Sequence, residues 1–201
     1  MIAAPWLLAL VYLIYNPERL LSHYGFRDFT VIERVLTEFR IVIDYFRLIV
    51  LPNVGDMGLY HDDIIVSTSL FHPVSTLLSL LLIVGLLVSA FYAKAKYPLF
   101  SLGILWFFGG HILESTVYPL DLMFLHRNYL PSIGIFLALA ELAIAVYRLR
   151  RKFVLVVVMS LFLMFSLCTR SLAHHWSGDP RMLMLEAINH PGSIRANFRT
   201  A

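Results

Sequence analysis

Long apolar stretches, separated by short polar or basic segments, make up most of this chain. Four of them approach the ~20 residues that a helix needs to cross about 30 Å of hydrocarbon: residues 73–93, 97–113, 129–147 and 153–169. A fifth stretch, residues 2–15, is shorter and lacks the basic start and cleavage site of a signal peptide. The pattern therefore predicts an all-α fold, a polytopic bundle of about five transmembrane helices.

Residues 31–51 are amphipathic rather than uniformly apolar. Their polar residues recur at intervals of four, three, four and three, at Glu33, Thr37, Arg40, Asp44 and Arg47. This spacing puts them on one stripe of a helix, which favours a helix lying in the membrane interface or packed against the bundle. A spanning helix remains the alternative, although it would leave several charges in lipid.

Residues 170–201 form a polar tail. The pattern predicts a helix over residues 181–189 and a break at residues 190–193, where the sequence is HPGS. Ser193 is a candidate N-cap for a further helix that continues to residue 200. We expect this tail to be helical, but loosely held unless further repeats follow it.

Composition supports a membrane protein. Hydrophobic residues make up 59% of the chain and charged residues 14%, with a mean hydropathy of +0.77, whereas soluble domains have roughly 45–50% and about 25%. These values exclude a soluble enzyme, a disordered tail and a fibrous protein. The single cysteine, Cys168, excludes a disulfide framework and a cysteine-ligated zinc site.

The basic residues predict the orientation of the helices. The net charge is +3, and the basic residues lie between apolar stretches, where they orient helices rather than bind nucleic acid. Lys94 and Lys96 form one basic loop, and residues 148–152 form another. Two predicted spans separate these loops, so both belong in the cytoplasm. The opposite side of the membrane is the periplasm of a bacterium or the lumen of a eukaryote. On that side we expect residues 16–72, residues 114–128 and the tail.

Three groups of polar residues in the outer loops are candidate sites. The first is His61, Asp62 and Asp63, which could bind a divalent cation through oxygen ligands or bind sugar hydroxyls. Adjacent residues rarely face one ion, so a solvated turn is the favoured interpretation. The second is His111 and Glu114, which share a helix face and form either a structural pair or a functional one.

The third group surrounds Arg127, at the start of a predicted span. A guanidinium at this position can bind a phosphate in a bidentate manner, with Tyr129 and the following proline fixing the backbone. An arginine that meets lipid headgroups is an equally good interpretation. His126 lies next to it in the sequence.

A family resemblance adds a specific expectation. It rests on the sequences LIVLPNVGDMGLYHDD, WFFGGHILESTVYPLDLMFLHRNYLPSIG and EAINHPGSIRANFRTA. Together they resemble the C-terminal membrane half of bacterial tetratricopeptide-repeat glycosyltransferases, which are similar to the TMTC O-mannosyltransferases of the GT-C superfamily. The HRNYLPS element is the most specific part.

The resemblance implies transfer of a sugar from a polyprenyl-phosphate carrier to an acceptor on the outer side of a bacterial inner membrane. Arg127, with His126 and Tyr129, would contact the carrier phosphate, and Asp62 would correspond to the family's loop aspartate. Residues 1–169 would be the bundle, and the periplasmic tail would begin a truncated repeat that contacts a protein acceptor or partner. The implied partners are the polyprenyl-phosphate donor and membrane lipid; no metal or other cofactor is implied.

The family's catalytic acid lies in an N-terminal half that has no match here, so the catalytic base stays unassigned. We therefore expect a C-terminal part of such an enzyme that is inactive by itself. A non-catalytic membrane scaffold that anchors a repeat domain is the first alternative. A transporter fragment is disfavoured because Glu141 is the only acid well inside a predicted span.

Overall fold

The computed structural model describes residues 23–112, 115 and 121–200, and over these residues the fold is all-helical, without strands. The described residues form seven α-helices, which are α1 (Val31–Val50), α2 (Ser75–Ala93), α3 (Pro98–His111), α4 (Tyr129–Tyr147), α5 (Arg151–Trp176), α6 (Asp179–Asn189) and α7 (Ile194–Thr200). Three short 3-10 turns accompany them, at His23–Phe26, Val54–Asp56 and Leu125–Asn128. The prediction of an all-α fold is confirmed for the part of the chain that the structure describes.

Within the described part of the chain, three helices are long and apolar enough to cross a membrane: α2, α4 with its 3-10 lead-in (Leu125–Tyr147), and α5. They indicate a membrane protein. The helix α3 has 14 residues, fewer than the ~20 that a full crossing needs. The predicted span at residues 2–15 lies outside the described residues. Of the five predicted spans, length and composition thus support three.

Helix α1 forms where the polar spacing predicted it. The Thr30 hydroxyl accepts a hydrogen bond from the Glu33 amide, and the Glu33 carboxylate accepts one from the Thr30 amide. This reciprocal capping box satisfies two amide groups at the helix start.

The buried face of α1 includes polar and charged side chains. Thr37, which belongs to the predicted polar stripe, is buried, and so are Arg34 and Glu38, which the stripe does not include. The guanidinium Nη2 of Arg34 lies 2.9 Å from Oε1 of Glu38, one helical turn away. Opposite charges at this spacing neutralise each other, so the pair can be buried where either charge alone could not.

Helices α3 and α4 make the closest contact in the bundle. Gly103 and Gly134 face each other so closely that a Cβ on either glycine would overlap the carbonyl oxygen of the other. The indole Nε1 of Trp106 also donates to the carbonyl of Leu130, at 3.1 Å. The absence of side chains at the two glycines is what allows the backbones to approach.

Glu141 fixes the direction of this helix pair. Its Oε2 accepts a hydrogen bond of 2.6 Å from the amide of Phe100, in the first turn of α3. The C-terminal half of α4 therefore lies beside the N-terminus of α3, and the two helices are antiparallel. The basic loops at residues 94–96 and 148–152 consequently lie at the same end of the bundle, as predicted.

Helix α5 continues to Trp176, so the predicted domain boundary at residue 169 falls inside it. After a break at Ser177 and Gly178, the chain forms α6 and α7, as the sequence predicted. Ser193 is indeed the cap, because its hydroxyl accepts a hydrogen bond of 3.0 Å from the Ala196 amide. Because α5 includes the first residues of the predicted tail, "tail" below means only the part that follows α5, residues 177–200.

Candidate functional site

Polar side chains gather at the end of the bundle opposite the basic loops, where residues 52–66, residues 121–128 and the tail pack together. We call this region the loop face. Glu186 of α6 is 3% exposed, and its two carboxylate oxygens accept hydrogen bonds from the amides of Leu59 and Tyr60, at 2.7 and 3.3 Å. The tail is therefore attached to the preceding loop by side-chain contacts that the sequence pattern did not predict.

Asp62 makes the second attachment. Its Oδ1 accepts a hydrogen bond from the Ser193 hydroxyl, and its Oδ2 accepts from the amides of Ile194 and Arg195, at 3.1 and 3.4 Å. Burial raises the pKa of this carboxyl, but the hydrogen bonds outweigh burial and hold the pKa below its usual range. Asp62 thus binds the start of α7 as a carboxylate.

A pair of histidines makes the third attachment. The Nδ1 of His190 donates to the carboxylate of Asp63 at 3.1 Å, and the rings of His190 and His61 meet edge to face with centroids 4.9 Å apart. The Nε2 of His61 donates to the carbonyl of Asp56 at 3.2 Å. Burial lowers the pKa of His61. Among the residues that the structure describes, no group of three or more His, Cys, Asp or Glu side chains could hold a metal ion.

Asp121 connects three segments of the loop face. Its carboxylate binds Nη1 of Arg27, before α1, and Nη1 of Arg195, in the tail, the latter at 3.0 Å. Burial raises the pKa of Asp121, yet the hydrogen bonds and positive charges of the two arginines leave it below its ordinary value. These three residues line a cavity of about 290 Å³, together with Tyr60, Asp62, Phe124 and several apolar side chains.

Helix α1 holds the loop that precedes α4. The hydroxyl of Tyr45, a side chain 1% exposed, donates to the carbonyl of Phe124 at 3.0 Å and accepts from the amide of the same residue at 2.8 Å. The amide group of Asn128 also donates to the carbonyl of Tyr45, at 3.3 Å. The backbone on both sides of Arg127 is therefore fixed against α1.

Arg127 contacts two residues that line the cavity. Its Nη1 donates to the carbonyl of Asp121 at 2.9 Å, and its guanidinium lies 5.0 Å from the centre of the Phe124 ring. It is also close enough to the buried Arg34 to act on that group electrostatically, as is Arg27. Of these three arginines, sequence reasoning identified only Arg127.

The two predicted neighbours of Arg127 are more exposed. The side chain of His126 is exposed, with its ring 5.3 Å from that of Phe124. Tyr129 is 83% exposed at the first residue of α4. Both residues lie within two positions of Arg127 along the chain, and the guanidinium itself contacts Asp121 and Phe124 of the same loop.

His111 lies in a different environment from the loop carboxylates. It is buried, its Nδ1 donates to the carbonyl of Phe107 at 2.9 Å, and its ring stacks on Tyr45 with centroids 5.2 Å apart. It therefore packs α3 against the same tyrosine that holds the loop. Its predicted partner Glu114 lies outside the described residues.

Sequence reasoning missed Arg27, Asp121, Arg195, Tyr45 and Glu186. Arg27 and Arg195 lie 94 and 74 positions away from Asp121 in the chain. Residues so far apart carry no periodic signal that would pair them. Glu186 alone had a local signal, because it is an acidic residue in an otherwise apolar stretch of a predicted helix.

Comparison of the chain with protein-family models, curated proteins and solved structures finds no match in any of the three. The residues themselves therefore carry the argument about function.

Proposed function

We propose that this membrane protein binds the phosphate of a polyprenyl-linked sugar donor at its loop face, as the C-terminal part of a GT-C-like glycosyltransferase. The observation that carries the proposal is that Arg127, two residues before α4, and Arg27 both lie close enough to the buried Arg34 to act on it electrostatically. Guanidinium groups match the geometry of phosphate oxygens, and charge-assisted hydrogen bonds are roughly twice as strong as neutral ones.

An apolar groove supports the lipid part of this proposal. It lies between α1, α2 and α3, measures about 330 Å³, and is lined mainly by apolar side chains such as Phe39, Ile83 and Leu87. Glu38 also lines it, and Glu38 binds Arg34. An isoprenoid chain in this groove would have its headgroup end on the side of Glu38 and Arg34.

The proposal includes a topology. Five spans, with α1 in the interface, would put both basic loops in the cytoplasm and the loop face in the periplasm of a bacterium. The contact between Glu141 and Phe100 supports it by bringing the basic loops to one end of the bundle. Labelling of cysteines introduced at Arg150 and Gly178 should place these residues on opposite sides of the membrane. Finding both on one side would contradict the topology.

Binding of a carrier phosphate can be measured with the chain in lipid nanodiscs. We expect a polyprenyl phosphate to bind more tightly than a polyprenol of equal chain length. Loss of one charged hydrogen bond is worth about 1.5–3 kcal/mol, so Arg127→Ala should weaken phosphate binding about tenfold to 100-fold. Arg127→Lys keeps the charge without the planar fork, and should have a smaller effect.

The matched control is Arg150→Ala, in the loop at the opposite end of the bundle, which should leave binding unchanged. Equal affinity for the phosphate and the alcohol, or wild-type binding by Arg127→Ala, would retire the proposal. In a longer protein that supplies the N-terminal half, Arg127→Ala should nearly abolish sugar transfer. If Arg127 instead only contacts lipid headgroups, sugar transfer by the Arg127→Ala variant should be near normal.

A second candidate function is a scaffold that positions a repeat domain. One observation favours it: Asp62 and Asp63, the predicted loop acids, both bind the tail. In a pure scaffold the contacts of the tail would be essential for positioning the repeat domain. The polyprenyl phosphate and the polyprenol would then bind equally. The binding experiment above therefore also separates these two functions.

A further inference from the structure

We propose that pH controls the attachment of the tail to the loop face through the contact between His61 and His190, and that acid releases the tail and opens the cavity beneath it. This proposal depends on contacts within the chain and is independent of carrier binding. It assigns a role to the two histidines, neither of which the proposed function uses.

The hydrogen bonds determine which ring nitrogens carry protons in the attached state. A carbonyl or a carboxylate can only accept, so Nε2 of His61 and Nδ1 of His190 are the donors. The other nitrogens, Nδ1 of His61 and Nε2 of His190, are buried and have no hydrogen-bond partner among the described residues. Both imidazoles therefore fit this interface in the neutral form.

A proton on either of the two unpartnered nitrogens would create a buried N–H without an acceptor. Such a group costs about 1–3 kcal/mol, and more when it is charged. A second proton would also place two imidazolium rings with their centroids 4.9 Å apart. Acid should therefore weaken the interface, provided that the surrounding carboxylates do not stabilise the charged rings by more than this cost.

The charged groups around His61 come from two sides. Asp63 on its own loop and Glu186 on α6 favour a charged histidine, whereas His190 opposes it. Asp56, at the end of the 3-10 turn, binds Arg47 at 2.8 Å and so already has a cationic partner. Asp63 already contacts His190 directly, so we expect protonation of His61 to be the event that releases the tail.

The direction of the effect follows from burial. Burial is the largest influence on His61 and lowers its pKa in the attached state, while a released His61 regains its ordinary value near 6.5. A group whose pKa is lowered by attachment favours attachment above the ordinary pKa. That contribution is lost as the pH falls through the lowered value.

Release of the tail would change the cavity. Arg195, which lines the cavity and binds Asp121, belongs to α7 and would leave with it. Asp62 would lose its three donors from the tail at the same time. The wall of the cavity would then present two carboxylates and one fewer arginine.

Hydrogen exchange of the full chain in nanodiscs tests the proposal. Protection of the α6 and α7 amides should be compared at pH 7.5 and pH 5.0, after correction for intrinsic exchange rates. The lower pH keeps Asp62 ionised, because its pKa lies below the ordinary 3.8. If His61 is never protonated while the tail is attached, protection of the α6 and α7 amides should fall by up to about thirtyfold between pH 7.5 and pH 5.0.

Two variants make the test specific. His61→Gln keeps a donor for the Asp56 carbonyl but has no titrating group, so its protection should be nearly equal at both pH values. His72→Gln is the control; His72 is exposed and contacts Ser69 in the turn before α2, and this variant should behave as wild type. If His61→Gln loses the tail at both pH values, His190→Gln serves as the second test.

Three outcomes would overturn the proposal: wild-type protection that does not change with pH, a loss in His61→Gln equal to that in wild type, or tail release at pH 5.0 that persists when both histidines are glutamine. Loss of protection confined to the wild type and the His72 control supports it. None of these results depends on whether the protein binds a polyprenyl phosphate.

Discussion

The α3–α4 contact and the attachment of the tail to the loop face hold the molecule together by opposite means. Two apolar helices meet at glycines, and they approach closely because glycine has no side chain. The tail is held by carboxylates and histidines that bind backbone amides and one another. The glycine contact is insensitive to charge, although the Glu141 carboxylate also joins the two helices, whereas the tail contact depends on the ionisation state of its partners.

The tail contact can therefore be regulated by ionisation, whereas the glycine contact cannot. A contact between backbones can be tight or lost, but it has no group that titrates. A contact that includes the Asp62 carboxylate and the buried His61 can be weakened in steps by pH or by single substitutions. The four predictions below test whether the two regions are as independent as this comparison implies.

The largest effect is expected from Gly103→Ala. The new Cβ would overlap the backbone of α4 around Gly134 and Ala138, and overpacking of this kind costs about 1–3 kcal/mol. Thermal unfolding in detergent should show a lower melting temperature. Gly109→Ala in the same helix is the matched control, because nothing lies within 4 Å of its Cβ. Equal stability of the two variants would contradict the close approach.

Asp62→Ala should release the start of α7 and leave the bundle intact. It removes the acceptor of three hydrogen bonds, and unsatisfied donors cost about 1–3 kcal/mol each when they remain buried. Hydrogen exchange should rise in α7 but not in α3 or α4. Asp28→Ala, at an exposed carboxylate before α1, is the control. Faster exchange throughout the bundle would show that the two regions are coupled.

Glu141→Ala should loosen the α3–α4 pair slightly, because the Phe100 amide loses its acceptor. Removal of a side-chain cap costs about 0.5–2 kcal/mol. Glu141→Gln retains an oxygen acceptor and should lie between the alanine variant and wild type. Melting temperatures in that order would support the capping role, and identical values for all three proteins would argue against it.

The smallest effect is expected from acid titration of Asp62 and Asp121, since protonation leaves an oxygen in place at each site. Both carboxyls have lowered pKa values in the folded state, so their stabilising contribution is present above the ordinary 3.8. It is lost as the pH falls through the folded values. Tail protection should therefore show a second decrease below about pH 4. The Asp62→Asn variant should show a weaker decrease there.

The helices could be predicted because their signals are local. The apolar stretch that became α4 runs from Tyr129 to Tyr147, with the predicted bounds, and the polar spacing of residues 31–51 predicted α1. The cap at Ser193 was also predicted, since capping needs only neighbouring residues. The predicted span at residues 153–169 forms part of α5, which continues as a helix for seven more residues, to Trp176.

The loop face could not be predicted because its contacts join distant segments. Asp62 was identified as a candidate, but its partners in the tail lie more than 130 positions away. Arg34 and Glu38 were overlooked because the stripe was drawn through the more regularly spaced polar residues. The spacing gives the period of a helix, but not which charges neutralise each other on it.

The hydroxyl of Tyr45 has a consequence for the order in which the protein assembles during synthesis. It binds both polar groups of Phe124, a residue made 79 positions later in the chain. At about 5–20 residues per second, translation leaves an interval of roughly 4–16 s between them. Tyr45 is therefore synthesised before the residue that it holds. The loop that carries Arg127 can reach its final shape only after Phe124 has been made and has met the Tyr45 hydroxyl.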